Sequence, residues 1–439
     1  MTETTDAGPH LRIVAVSWEG GGNVPPTLEA VRALVARGHD VRLIADDTMR
    51  AEAIEAGARF LPWKRAPNRR DRAPESCYVR DWETTDPLAG FQRGCERVFV
   101  GPARSHAEDI LEALAAEPSD ILLGTDMLFG SMLAGEIAKV PTALLASNIS
   151  LWPLPGHPPF GPGFQPARSA ADRARDAEAS ATAEQLWDGF LPSLNAARAH
   201  FGLAPLAHVH EQPLSAGRHL LATSSSFDFP TERLPDHVRY VGPLLEMPSW
   251  ARERWTSPPA RERRPLVLVS FSTTNQRQAD VLQRVISGLA DEPVEVVVTL
   301  GKALEGLRLQ SSANVTILPS AAHEDILTKA RVVVTHGGHG TVMRSLSHGV
   351  PLVVLPMGRD QNDNAARVDY HGAGLRLDLS ATPQMIGEAV RRVLSEPSFA
   401  ERAVVLARAI AAEGPAPARL VAEIEDFVLR SSQGAPSAA

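Results

Sequence analysis

Short apolar runs alternate with amphipathic stretches along most of the chain, and their spacing predicts a series of β-α units. Leu11-Arg-Ile-Val-Ala-Val-Ser17 is a β-rich run that ends in Glu19-Gly20-Gly21-Gly22. Pro25-Pro26 then opens a helical pattern through Leu28, Val31, Leu34 and Val35, which Gly38 closes before a second apolar run over 41–45. Strand, glycine loop, helix, glycine stop and strand make the repeating unit of a parallel sheet. The alternation continues with a helix over 105–116, a strand over 121–124, a helix after Leu128 and a strand over 142–146. It lapses twice. Residues 62–97 are charged and aromatic, and 152–166 are dense in Pro, Gly and Phe. Both predict long connections over the carboxyl ends of strands, where open α/β sheets bind ligands. A helix is expected over 172–197.

From 241 to 264 the chain is rich in Pro, Arg, Glu and Ser and has little to bury, which predicts a linker. A second series follows, with strands over 266–271, 294–300, 315–318, 332–335 and 352–356. Helices are expected over 278–289, 324–329 and 341–348, and an amphipathic helix over 416–430 follows Gly414-Pro415. The prediction is an α/β protein with an N-terminal doubly wound domain (1–240), a C-terminal one (265–415), a closing helix and a tail (431–439).

Length agrees, since 439 residues exceed a typical single core. A formal charge of −8 argues against a general nucleic-acid binder, so a polyanionic ligand would need a local site of backbone amides, helix N-termini or single His and Arg residues. Two cysteines, Cys77 and Cys95, support neither a disulfide framework nor a metal cluster and fit a reducing cytoplasm. The polar, acidic start is unlike a secretory signal, and no run reaches the roughly 18 apolar residues of a membrane span.

The most informative stretch is Val332-Val-Val-Thr-His336-Gly337-Gly338-His339-Gly340-Thr341. A buried strand delivers glycines straight to a helix start, whose amides and dipole favour phosphate oxygens. His336 stands at the strand end, able to donate to the same anion. Asp360-Gln361 follows the next strand, and a carboxylate beside an amide suits vicinal hydroxyls. The plainer readings are a satisfied strand-to-helix turn and an Asx cap.

These motifs resemble the family-1 GT-B glycosyltransferases, specifically the bacterial macrolide and polyketide type. His336-x-Gly338-x-Gly340-Thr341, Gly349-Val-Pro351 and Asp360-Gln361 reproduce the family's donor signature in order. The resemblance implies two Rossmann-like domains facing a cleft, with the C-terminal helix returning to the first. It implies that His336, His339, Gly338, Gly340 and Thr341 surround the donor diphosphate and that Asp360 and Gln361 contact the sugar. Ser272 and Thr273 match a loop after the domain's first strand, and His323 would lie against the base. A nucleotide diphosphate sugar is then the co-substrate, with no metal or other cofactor. Where plant relatives carry a ribose-binding glutamate this chain has Arg344, which either leaves that role to another group or suits a dTDP-sugar.

The resemblance also places Asn23 where the family's general-base histidine stands, and Asp126 where that histidine's aspartate partner stands. An amide has no useful basicity. Three accounts follow: an acidic or already nucleophilic acceptor; a substitute base among Asp126, Glu19 and His157; or a binding protein without transfer. Trp63, Trp82, Phe91, Trp152, His157 and Phe160 are candidate walls for a flat hydrophobic acceptor, ordinary core filling being the alternative. The expected function is inverting transfer of a hexose to a hydrophobic small molecule, aromatic or polyketide, by a cytoplasmic monomer or homodimer. The rivals are a non-catalytic homologue and an NAD(P)-dependent oxidoreductase using Gly20–Gly22 and Asp46. Against the latter, the glycines are consecutive and Pro25-Pro26 occupies the helix start.

Overall fold

Val14, Ala15 and Val16 are buried together because helices cover both faces of a parallel sheet. In the computed structural model they belong to strand β1 (Arg12–Val16), the centre of a seven-stranded sheet. The structure describes residues 9–433 except 85, 247–253, 257–263, 272–275, 277, 302–303 and 305. The other strands are β2 (Asp40–Ala45), β3 (Arg59–Pro62), β4 (Ile121–Thr125), β5 (Thr142–Ala146), β6 (Arg218–Leu221) and β7 (Val238–Tyr240). They run parallel in the order β3-β2-β1-β4-β5-β6-β7. A second parallel sheet holds β8 (Leu266–Ser270), β9 (Glu295–Thr299), β10 (Val315–Leu318), β11 (Ala330–Thr335), β12 (Leu352–Val354) and β13 (Gly374–Arg376), in the order β10-β9-β8-β11-β12-β13.

Each order reverses once, between β1 and β4 and between β8 and β11. At such a reversal the following loops diverge and leave a crevice. The loops carrying Asn23 and Asp126 leave adjacent strands at the first reversal, where Ile13 pairs with Ile121. Those carrying Phe271 and His336 leave adjacent strands at the second, where Thr335 pairs with Ser270.

The closing helix, Ala416–Gln433, crosses back to the first domain. Its Leu420, Val421, Ile424 and Val428 join one buried cluster with Ile13, Leu28, Val31 and Leu34. Fully burying each such side chain stabilises by roughly 1.5–3 kcal/mol. Val241 and Leu244 belong to that cluster, so the start of the expected linker is core instead. Much of its remainder, 247–253 and 257–263, lies outside the described residues. The helix expected over 172–197 is two, Ala170–Asp188 and Leu191–His200, broken at Gly189-Phe190 with Pro192 opening the second. Strands β3, β6, β7 and β13 were not foreseen. They are short, and Arg59, Arg218, His219, Arg239 and Arg376 break their apolar patterns. Among the described residues no helix is long and apolar enough to cross a membrane.

Candidate active site

Strand β11 ends at Thr335, and the chain turns through Gly337 at φ +93°, a conformation that glycine adopts freely. A Cβ there would also strike Val354 Cγ1 at 2.7 Å. Gly338 caps the helix His339–Ser347 without any side-chain capping bond. A helix's first amides have no acceptor of their own, and Gly340 has open space where a side chain would stand. The Thr341 hydroxyl has no hydrogen-bond partner among the described residues. This turn is open to an anion.

His336 is buried beside it, its ring 5.9 Å from that of Phe271 and nearly parallel. Its Nδ1 lies 3.3 Å from Thr335 Oγ1. Burial, with Arg359 close by, pushes the imidazole down to about 4, so it is neutral at pH 7. An anion in the turn would oppose both effects. His339 points elsewhere. Its Nε2 lies 2.9 Å from Thr223 Oγ1 of the first domain, and its ring is 6.3 Å from that of Phe227. The side chain belongs to the domain contact, away from the phosphate turn where the motif places it.

Asp360 is half-buried, and burial raises its carboxyl above the usual range. It accepts 2.8 Å from Asn364 Nδ2 and also from Asn148, just past β5. Asn364 donates to the Gly337 carbonyl at 2.9 Å as well, tying the acid to the glycine turn. Gln361 is turned inward: its Oε1 accepts from the Met357 amide at 2.7 Å and its Nε2 donates to Gln276 at 3.0 Å. With both ends committed, it braces the loop and is not placed to hold sugar hydroxyls. His323 opens a helix after β10 with its Nε2 3.0 Å from Thr299 Oγ1. Burial lowers its pKa to about 4, a neutral ring able to lie against a base. Ser272 and Thr273 lie outside the described residues. Arg344 is held by Glu324 at 2.8 Å and donates to the Leu245 carbonyl, pairing with a local carboxylate.

In the first domain Asn23 closes its own loop. Its Oδ1 accepts from the Gly20 amide at 3.1 Å and its Nδ2 donates to the Trp18 carbonyl at 2.8 Å. No hydrogen bond joins it to Asp126. Asp126, at the exit of β4, is buried with no side-chain partner among the described residues, and desolvation pushes its carboxyl up to about 7. Glu19 is occupied by Arg72 at 2.8 Å. His157 is fixed with Nε2 2.8 Å from the Phe229 carbonyl and Nδ1 3.7 Å from Asp228. Burial lowers its pKa, and its place is a structural cluster rather than an acceptor wall. Asp46 accepts from the Glu19 and Arg69 amides, which leaves no ribose seat for a dinucleotide.

The expected acceptor aromatics divide. Trp63 is buried, donates to the Ser17 carbonyl at 3.1 Å and packs edge-on against His106, so it is core. Phe91 and Trp152 pack against Trp187, with centroids 4.9 and 5.2 Å away. Phe160 packs against a buried cluster that holds residues of both domains. Trp82 is half-buried in the connection after β3.

Sequence reasoning missed the bridge between the domains. Asp363, buried on the helix Gln361–Tyr370, accepts from the Gly161 amide at 2.9 Å. Arg376 donates to the Gly163 carbonyl at 2.8 Å. The Pro/Gly/Phe connection therefore docks on the second domain. Beneath it, buried Arg367 meets Asp228 at 2.7 Å, and Tyr240 donates to the same carboxylate at 2.8 Å. Only Asp360-Gln361 stood out in that helix, whereas Asp363, Asn364 and Arg367 follow at spacings that share its inner faces.

Residues 283–427 match the family model of the erythromycin biosynthesis protein CIII-like C-terminal domain. The chain is 29% identical to 4'-demethylrebeccamycin synthase of Lentzea aerocolonigenes, over 88% of this chain and 93% of that one. It is 28% identical to demethyllactenocin mycarosyltransferase of Streptomyces fradiae, over 85% and 77%. The crystal structure of the kitacinnamycin glycotransferase superposes with a TM-score of 0.74 at 21% identity, covering 97% of this chain and 99% of that one. Two parallel sheets, a glycine turn open to an anion and these likenesses agree: the chain is similar to the GT-B glycosyltransferases of the antibiotic and natural-product type, enzymes that work from nucleotide sugars.

Proposed function

We propose that this enzyme transfers a hexose, with inversion, from a UDP- or dTDP-sugar to a hydrophobic small molecule, with Asp126 taking the acceptor's proton. The observation that carries the reading is Asp126 itself, a buried carboxyl with no side-chain partner among the described residues and a pKa near 7 at the switch point of the first sheet. A general base works best with a pKa near the operating pH. In the transfer step, the acceptor's X–H proton passes to the Asp126 carboxylate as X bonds to the anomeric carbon. The bond from that carbon to the diphosphate oxygen breaks on the opposite face. The departing diphosphate gains negative charge, which the amides around Gly340, the helix dipole and the N–H of His336 stabilise. No metal is called upon in this scheme. Asp360 accepts from sugar hydroxyls, while Asn23 keeps the loop in shape and stays out of the proton transfer. Arg344, pinned by Glu324, leaves no carboxylate at its helix position for ribose hydroxyls, which favours a 2′-deoxyribose donor.

The test titrates UDP- and dTDP-sugars against NADPH while following turnover with phenolic and polyketide acceptors. Sugar-nucleotide binding with acceptor-dependent release of the nucleoside diphosphate is expected, dTDP-sugars being preferred. Binding without turnover over a broad acceptor panel would leave the non-catalytic reading in its place.

A further inference from the structure

Away from the cleft, the carboxyl end of the helix Ala170–Asp188 meets the segment Val209–Ser215. Glu184 and Asp188 stand one turn apart there. Carboxylates at i and i+4 repel, and at the carboxyl end of a helix they also oppose the dipole's negative pole. A cation there would offset both. His208-Val-His210 faces them with two stacked rings, 5.2 Å between centroids and 15° between planes. Both rings present Nδ1 to the acids. His208 Nδ1 lies 2.7 Å from Asp188 Oδ2 and 3.9 Å from Glu184 Oε1. His210 Nδ1 lies 3.6 Å from Glu184 Oε2.

One ligand atom from each of Glu184, His208 and His210 lies within 4.8 Å of the other two. Donors at about 2.0–2.1 Å from a tetrahedral zinc ion sit roughly 3.4 Å apart. Small rotations of these partly exposed side chains close that difference. We infer that Glu184, His208 and His210 form a binding site for a divalent transition-metal ion of the zinc type, with Asp188 completing the set or orienting His208. Two imidazoles with carboxylates select such an ion over Mg²⁺ and Ca²⁺, which prefer oxygen ligands alone.

The site is a structural brace. Trp187, between the two acids, packs on Phe91, Phe129 and Trp152. At the other end of the same helix Arg175 lies 4.0 Å over Phe164. An ion at the carboxyl end therefore steadies the helix against which the 152–166 connection rests.

The test uses the full chain, stripped with chelator and titrated with ZnCl₂ by calorimetry and thermal unfolding. One saturable site per chain and a raised Tm are expected, with no response to MgCl₂. The double variant His208→Ala/His210→Ala should lose both responses while its chelator-treated Tm stays near that of the parent. Glu184→Gln should weaken uptake at least tenfold. Co²⁺ should give visible bands of low-coordinate geometry in the parent alone. No saturable zinc uptake by the parent, or equal uptake by the double variant or by Glu184→Gln, overturns the proposal.

Discussion

Two glycine turns border the switch points of the two sheets from opposite sides, one after β1 and one after β11, and they are put to opposite uses. After β1, Asn23 spends its side chain on the Gly20 amide and the Trp18 carbonyl, and Pro25 and Pro26 take amides out of the first helical turn. That turn is closed by its own chain. After β11, no proline removes an amide from the first helical turn and Gly340 faces open space, so the helix start keeps its donors. A glycine-rich strand-to-helix turn is thus a phosphate site only where the sequence leaves its donors unspent. In the first domain the proposed base, Asp126, stands at the end of β4, the strand that corresponds to β11.

The largest test of that division is Asp126→Asn. As the base, Asp126 should be worth about 10²–10⁴-fold in kcat, and kcat/KM should rise with pH through about 7 in the parent only. Stability should move the other way. A raised carboxyl pKa gives stability that is complete below about 4 and fades as pH rises through about 7. The permanently neutral Asn variant should therefore be at least as resistant to urea as the parent at pH 8. Large losses of both activity and stability would make Asp126 a structural residue.

Next in size is Arg367→Ala, which strands the buried Asp228 between the domains. Removing one member of a buried pair costs roughly 3–5 kcal/mol, measurable by denaturant unfolding, and would show that the two halves work as one body. His336→Ala should lower kcat by about 10²–10³-fold, as loss of one donor to a developing anion does. An unchanged rate would remove His336 from the donor site. Asn23→Ala should cost only about 1 kcal/mol in stability, the usual worth of a neutral hydrogen bond. A rate loss as deep as that of Asp126→Asn would restore Asn23 to the chemistry and reverse the comparison.

Legibility in the sequence followed the same divide. The donor turn is one contiguous run, so strand, glycines and helix start could be placed from local rules. Its partners were less visible: Gln361 looked like a sugar ligand until Met357 and Gln276 claimed its amide, and His339 until Thr223 claimed its ring. The central strands of both sheets were found because burial on both faces leaves unbroken apolar runs. Edge strands β3, β7 and β13 were not, since half-exposed positions admit arginine. The aromatic residues of the acceptor side carried the least information, because Trp63 in the core and a tryptophan lining a cleft look alike in sequence.

The returning C-terminal helix also sets an order of events in synthesis. Arg37 and Glu425, which meet at 2.9 Å where that helix crosses Val24–Ala36, are 388 residues apart in the chain. A ribosome that has finished the first domain has therefore not yet made part of its core, and the apolar face around Leu28 and Leu34 waits while the whole donor domain emerges. Domains usually fold as they appear, from the N-terminus onward. Here the first to appear is the last to be completed, so a message cut short before Ala416 leaves the first domain, and not the second, with the gap.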